Sequence, residues 1–170
     1  YNLSNIITLL GLFLILIFTL LLYTSKDLKS LALYLACSQF SIIIFLIGLR
    51  VYNAAFFYLL TSTLSVIVLF ISFAVITIKL NGEYQINKMG SLINKTPATF
   101  LFILISSLSL IGVPFFSGFY SKKLIFSTLS SFNEIFMFFV IIFCFCYLFL
   151  LSYTLFKNIL IIFLCQNNCD

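Results

Sequence analysis

The 170-residue chain contains no histidine and carries few charged residues of either sign. Only 8% of its residues are charged, four acidic and nine basic, whereas 64% are hydrophobic. The absence of histidine removes the commonest metal ligand and the side chain that most readily transfers protons near neutral pH. The scarcity of charge, together with long runs that have none, excludes a soluble enzyme domain of this size. The composition therefore predicts a membrane protein that crosses the bilayer several times.

Motifs for a cofactor or a metal are also missing. Of the five cysteines, Cys144 and Cys146 lie two residues apart on different faces of a predicted helix, and Cys165 and Cys169 have no second pair. Zinc and iron–sulfur sites require clusters of such ligands, and no glycine-rich loop that would cradle a phosphate is present. We therefore expect no cofactor and no metal in this chain. The net charge of +5 is spread over loops and does not form the basic stripe of a nucleic-acid-binding protein.

Five membrane helices are predicted from apolar runs of about 20 residues, the length that spans a bilayer. Nothing basic precedes Lys26, so the first run is predicted to be a true span and not a signal peptide. The apolar segment at 159–164 is predicted to be too short to span. We expect one helical bundle over residues 1–165 and a polar tail at 166–170. The predicted spans are residues 3–23, 28–49, 52–78, 97–129 and 133–156.

The positions of the basic residues predict the orientation of the bundle. Alternating spans place the connections after the first, third and fifth helices at the same end, whereas Arg50 and Lys123 belong to the opposite end. The positive-inside rule assigns the richer end to the cytoplasmic or matrix side. The basic residues at that end are Lys26, Lys29, Lys79, Lys88, Lys95 and Lys157.

The fourth span is interrupted by Gly112, Pro114 and Gly118, and Lys122 and Lys123 follow at once. A helix interior does not tolerate proline without breaking or kinking, and a membrane admits broken backbone only where protein or water surrounds it. An ionisable residue at such a break is a candidate functional residue. The segment alone leaves a second interpretation open, a kink between two helices whose lysines lie at a water interface.

Four further polar residues lie at or within the predicted spans. Lys29 begins the second span beside Asp27, either as a functional group or as a lysine that reaches the membrane interface. Gln39 lies in the middle of the second span, and Ser62 and Ser65 lie on the third. Such side chains line a hydrated path, join one helix to another, or bond their own backbone.

Several short strings resemble landmarks of NADH dehydrogenase subunit 5, the distal antiporter-like subunit of respiratory complex I. The resemblance covers roughly residues 20–157. Its most specific part is the string Gly118-Phe119-Tyr120-Ser121-Lys122, which follows Gly112-Val113-Pro114. It implies that the chain is the second of two inverted five-helix repeats, with the fourth span as the discontinuous helix of the family. The strings are Asp27-Leu28-Lys29, Ser38-Gln39, Asn87-Lys88-Met89-Gly90 and Gly118-Phe119-Tyr120-Ser121-Lys122.

The resemblance also implies roles for two lysines. Lys122 matches the lysine of the broken helix, which exchanges protons with the outer compartment, and Lys29 matches a lysine on the central hydrophilic axis. In this interpretation Ser62, Ser65 and Gln39 complete the proton path between them.

The chain departs from the family pattern at three positions. The family usually has a histidine and a lysine where this chain has Ser62 and Val66, and an acidic residue where it has Lys123. The middle protonatable group of the proton path is therefore missing. Either water held by Ser62 and Ser65 bridges the gap, or this half-channel has degenerated.

The resemblance implies a non-redox subunit in the membrane arm of complex I, contributing to proton translocation that quinone reduction drives elsewhere in the complex. The implied partners are the other membrane-arm subunits, a chain that supplies the N-terminal half, and phospholipids. The implied location is the mitochondrial inner membrane, or the bacterial plasma membrane if the protein is not organellar. Two alternatives stay open: a structural membrane-arm subunit without a working proton path, and a component of a stand-alone cation–proton antiporter.

Overall fold

The computed structural model describes residues 2–90, 92–93, 95–130 and 135–164, without the side chains at positions 2 and 135–139. The described chain folds into α-helices joined by short connections, with a 3₁₀ helix at Ile86–Lys88. The predicted all-α membrane fold with one discontinuous helix is confirmed. The helices are α1 (Asn2–Thr24), α2 (Leu28–Gly48), α3 (Tyr52–Lys79), α4 (Pro97–Ile111), α5 (Ser117–Ser130) and α6 (Ile135–Phe163).

Four of these helices, α1, α2, α3 and α6, are long and apolar enough to cross a membrane by themselves. The fifth crossing consists of α4 and α5 in series, with 15 and 14 residues. At ~1.5 Å per residue, neither half reaches across a hydrocarbon core of about 30 Å. The break between them therefore lies within the depth of the membrane.

The prediction for the end of the last helix was wrong. The segment at 159–164 does not form a separate short tail, because α6 continues without interruption to Phe163. Lys157 does not end the helix, because it is an exposed residue within α6, and its ammonium group lies 5.6 Å from the centre of the Tyr23 ring. The buried face formed by Leu151 and Leu155 continues past Lys157 with Ile159 and Ile162. The predicted polar tail at 166–170 lies outside the described residues.

Two of the three connections predicted to share the basic end of the bundle are paired through their backbones. The N–H of Leu28 donates to the Tyr84 carbonyl at 2.9 Å, and the N–H of Ile86 donates to the Lys26 carbonyl at 2.9 Å. These bonds place the α1–α2 turn against the loop that follows α3. The compartment that this end faces stays a prediction.

Helices α1 and α2 pack closely because each presents a glycine to the backbone of the other. A Cβ atom at Gly11 would lie 2.7 Å from the Cα atom of Phe45, and one at Gly48 would lie 2.6 Å from the backbone nitrogen of Thr8. In a membrane, helices associate mainly through such close packing, because lipid tails are as apolar as the side chains.

We expect Gly11→Ala to destabilise the bundle by about 1–3 kcal/mol, because the two backbones must separate to admit the methyl group. The thermal unfolding midpoint of the purified protein in detergent measures the effect. Leu10→Ala is the control, because Leu10 is 52% exposed on the outer face of the same helix. An equal or larger shift for the control would contradict the close packing.

Candidate functional site

The break between α4 and α5 begins at a glycine in the left-handed conformation. Gly112 has a φ of 87° and ends α4, where its N–H donates to the carbonyls of Leu108 and Ser109. A side chain at this φ would be strained, so glycine is the favoured residue here. Pro114 then prevents continuation of the helix. The predicted break at Gly112 and Pro114 is therefore present.

Gly118 has a different role from the one predicted. It lies in the first turn of α5, beyond the break, and its backbone packs against the last turn of α4. A Cβ atom at Gly118 would lie 1.8 Å from the carbonyl oxygen of Ser109. The absence of a side chain therefore lets the two half-helices overlap.

Lys122 reaches back from α5 to the open end of α4. Its ammonium group donates to the carbonyl oxygen of Ile111 at 2.9 Å and to that of Leu110. The last carbonyls of a helix have no partner within the helix, so the lysine satisfies two of them and complements the negative end of the helix dipole. Lys122 is only 9% exposed. The ion pair found in the described part of the chain joins Lys88 and Glu83 at the surface, so it contributes no counter-charge here.

A small cavity lies beside Lys122 and contains most of the polar residues predicted for the site. It has a volume of about 10 Å³ and lies between α2, α3, α4 and α5. The room within it is about that needed for one water molecule. The structure thus brings Gln39, Ser62 and Ser65 together with the lysine. The lining residues are Gln39, Tyr58, Thr61, Ser62, Ser65, Ser109, Leu110, Gly118, Ser121 and Lys122.

Gln39 connects three helices at the level of this cavity. Its side-chain oxygen accepts a hydrogen bond from Tyr58 on α3, and its Nε2 donates to the Tyr147 hydroxyl on α6 at 2.9 Å. Sequence reasoning did not identify either tyrosine. Tyr58 precedes Ser62 by four residues and therefore lies on the same face of α3. This spacing could have predicted that Tyr58 belongs to the site. No comparable signal marks Tyr147.

We expect Gln39→Leu to destabilise the bundle by about 1–2 kcal/mol, because it leaves two buried tyrosine hydroxyls without their amide partner. The thermal unfolding midpoint in detergent measures this change. Ser41→Ala is the matched control, because Ser41 is buried on the same helix and bonds only the Cys37 carbonyl. Similar midpoints for the two variants would contradict the bridging role of Gln39.

The two predicted serines make contacts of different kinds. Ser62 donates to the Leu59 carbonyl of its own helix at 3.4 Å. This is the bonding to its own backbone that the sequence left open as an alternative to lining a hydrated path. Ser65 bonds the Thr61 carbonyl at 3.1 Å and also the Ser109 hydroxyl on α4 at 2.9 Å. Ser65 thus links the cavity to the end of α4, and Val66 beside it is buried in the apolar core.

Lys29 is not part of this cluster. It is exposed at the basic end of the bundle, and its ammonium group lies 3.4 Å from the centre of the Tyr84 ring. This is the geometry of a cation–π contact. Its predicted place on the proton path stays a prediction.

A cleft between α5 and α6 reaches Lys122 from the end of the bundle opposite the basic one. The exposed Lys123 lies on the same cleft, one residue further along α5. Lys122 therefore borders both the small polar cavity and the wider cleft. The cleft is lined by Ile111, Gly112, Phe119, Lys122, Lys123, Phe126, Ser127, Ser130, Ile141, Phe145 and Leu148.

The fold and the site together define a multi-pass helical membrane protein with a buried lysine at the break of a discontinuous helix. Residues 1–148 match the family described as NADH:quinone oxidoreductase/Mrp antiporter, transmembrane. Because the match covers most of the chain, the chain belongs to this family of membrane proteins, and the resemblance inferred from its sequence strings is confirmed.

Curated relatives carry names from the NADH oxidoreductases. The chain is 39% identical to NADH-ubiquinone oxidoreductase chain 5 of Dictyostelium citrinum over 124 residues, which are 73% of this chain and 19% of that protein. It is 43% identical to NADH-quinone oxidoreductase subunit L of Rickettsia typhi over 100 residues, 59% of this chain and 15% of that protein. The matched region thus spans less than a fifth of the length of these relatives.

Proposed function

We propose that this chain forms part of the membrane arm of respiratory complex I and carries part of its proton-translocation path. The observation that supports this most directly is the position of Lys122, buried at a helix break and bonded by backbone carbonyls. A buried charge without a counter-charge is unfavourable, and ionisable residues at such depth in a membrane commonly belong to ion or proton paths. Lys122 is the group that binds and releases the proton.

Two spaces border Lys122 and suit a group that exchanges a proton. The α5–α6 cleft extends from Lys122 towards the end opposite the basic one, and the polar cavity supplies room for a water molecule. The electron-transfer chemistry belongs to other subunits. The partners are neighbouring membrane-arm subunits, and the location is the mitochondrial inner membrane.

A structural role without proton transfer is the second candidate, because Ser62 and Val66 stand where the family is expected to have ionisable residues. Replacing Lys122 by Met separates the two. An unchanged ratio of protons moved to electrons transferred would favour the structural role, and a lower ratio would support the proton path.

A native gel of gently solubilised membranes tests the assignment to complex I. Mass spectrometry identifies where the chain migrates, and a stain for NADH oxidation locates the complex. Co-migration with NADH dehydrogenase activity supports the proposal. Migration away from that activity would contradict it and would favour an independent cation–proton antiporter, which the family description also covers.

A further inference from the structure

Ser109 differs from the other serines of the bundle in its hydrogen bonds. Within the described parts of α2 to α6, every serine apart from Ser109 and Ser117 donates to a carbonyl three or four residues earlier. This is the usual bonding of a serine in a membrane helix. The hydroxyl of Ser109 instead lies between two other hydroxyls, 2.9 Å from that of Ser65 and 3.2 Å from that of Ser117.

The three serines form a row that crosses three helices. Ser65 is on α3, Ser109 is in the last turn of α4, and Ser117 is the first residue of α5. In both contacts either hydroxyl can be the donor. A row of hydroxyls that can reverse its bond direction passes a proton along, because each oxygen both donates and accepts. The close approach of α4 and α5 at Gly118 occurs beside this row of serines.

The other polar network beside the cavity lacks this property. Between Tyr58 and Tyr147 stands the Gln39 amide, whose oxygen only accepts and whose nitrogen only donates. A proton does not pass through this amide by exchange of hydrogen bonds. The network therefore joins α2, α3 and α6 and offers no route for a proton.

The row of serines connects the cavity beside Lys122 with the outer surface of the break. Ser65 and Ser109 line the cavity, whereas Ser117 is exposed and lies beside Phe115, which is 96% exposed. Within the described chain, the Phe115 N–H donates to no backbone carbonyl. Irregular backbone at this depth is not tolerated in contact with lipid, so protein or water covers this surface.

We propose that the proton of Lys122 leaves the bundle sideways, through Ser109 and Ser117, at the surface of the helix break. This rests on the proposed function of Lys122. The N–H bond of the ammonium group breaks and its proton joins a water or hydroxyl oxygen, which passes one of its own protons to the next oxygen, until the exposed Ser117 hydroxyl releases a proton to water at the surface. One proton moves in total, the serines are unchanged, and their hydroxyls then rotate back.

The test measures proton translocation by the intact complex in sealed vesicles, together with the solvent isotope effect in D₂O. We expect Ser109→Ala and Ser117→Ala each to slow translocation by about tenfold, with a larger isotope effect because the interrupted transfer becomes rate-limiting. Ser107→Ala is the control, because Ser107 is buried on the same helix and bonds the Leu104 carbonyl. Ser117→Thr retains the hydroxyl at an exposed position and is expected to restore the rate.

The outcomes separate this route from the role of Lys122. Normal translocation by both alanine variants, with loss of translocation in Lys122→Met, would overturn the serine route and leave the proposed function standing. Normal translocation by Lys122→Met as well would overturn both the serine route and the proposed role of Lys122 in proton transfer. Equal losses in Ser109→Ala and Ser107→Ala, without a change in the isotope effect, would show a packing defect and would also overturn the route.

Discussion

Replacement of Lys122 by Met is expected to remove the share of proton translocation that this bundle carries, while the protein still assembles. Met has an unbranched side chain of similar length and fills the same space. It has no proton to exchange, and the loss of a positioned proton-transfer group slows such steps by about 10²–10⁴-fold. The measurement is the number of protons moved per electron transferred by the intact complex in sealed vesicles.

Lys122→Arg distinguishes proton exchange from a purely structural role of the charge. Arginine retains the positive charge and can donate to the Leu110 and Ile111 carbonyls, but it stays protonated at physiological pH. If the lysine only satisfies the end of α4, the arginine variant translocates protons normally. If it exchanges protons, the arginine variant fails as the methionine variant does.

Lys123→Met is the matched control for both variants. Lys123 is the next residue on α5, but it is exposed in the cleft. We expect the control to retain proton translocation. Equal losses at the two positions would indicate a general effect of positive charge in the cleft and would contradict a special role for the buried lysine.

Gly118→Ala is expected to have the largest effect on assembly. The added methyl group would lie 1.8 Å from the Ser109 carbonyl oxygen and 2.9 Å from its carbonyl carbon. Both are backbone atoms, so a side-chain rotation cannot relieve the overlap, and α5 must move away from α4. Overpacking of this kind costs about 1–3 kcal/mol or more. The amount of the chain in the assembled complex, measured on a native gel, is expected to fall.

Gly82→Ala separates this overlap from a general effect of replacing glycine. Gly82 has a φ of 90° in the loop after α3, and nothing lies within 4 Å of an added Cβ atom. Its replacement is expected to cost about 1–2 kcal/mol for the left-handed conformation alone, with assembly largely retained. Wild-type assembly of Gly118→Ala would show that the half-helices do not approach as closely as described.

The helices and the break could be predicted from the sequence, because they depend on local chemistry. Apolar runs of sufficient length set the first three spans to within two residues, and Gly112 with Pro114 located the break. Lys122 could be selected because an ionisable residue beside such a break is unusual. The end of α6 was missed because Lys157 and Asn158 resembled the end of a span, although two polar residues do not break a helix.

The sequence by itself determined the membrane class, the number of crossings, the basic end and the candidate lysine, since each depends on composition or on spacing along the chain. Only the tertiary structure decided that Gln39 joins Tyr58 to Tyr147, that Ser109 lies between Ser65 and Ser117, and that Lys29 lies apart from the cavity. The physical reason is that the long helices α1, α2, α3 and α6 carry apolar residues on their exposed as well as their buried sides. In a membrane the apolar face of a helix can meet lipid or protein equally well, so the pattern along the chain does not indicate which polar side chains meet.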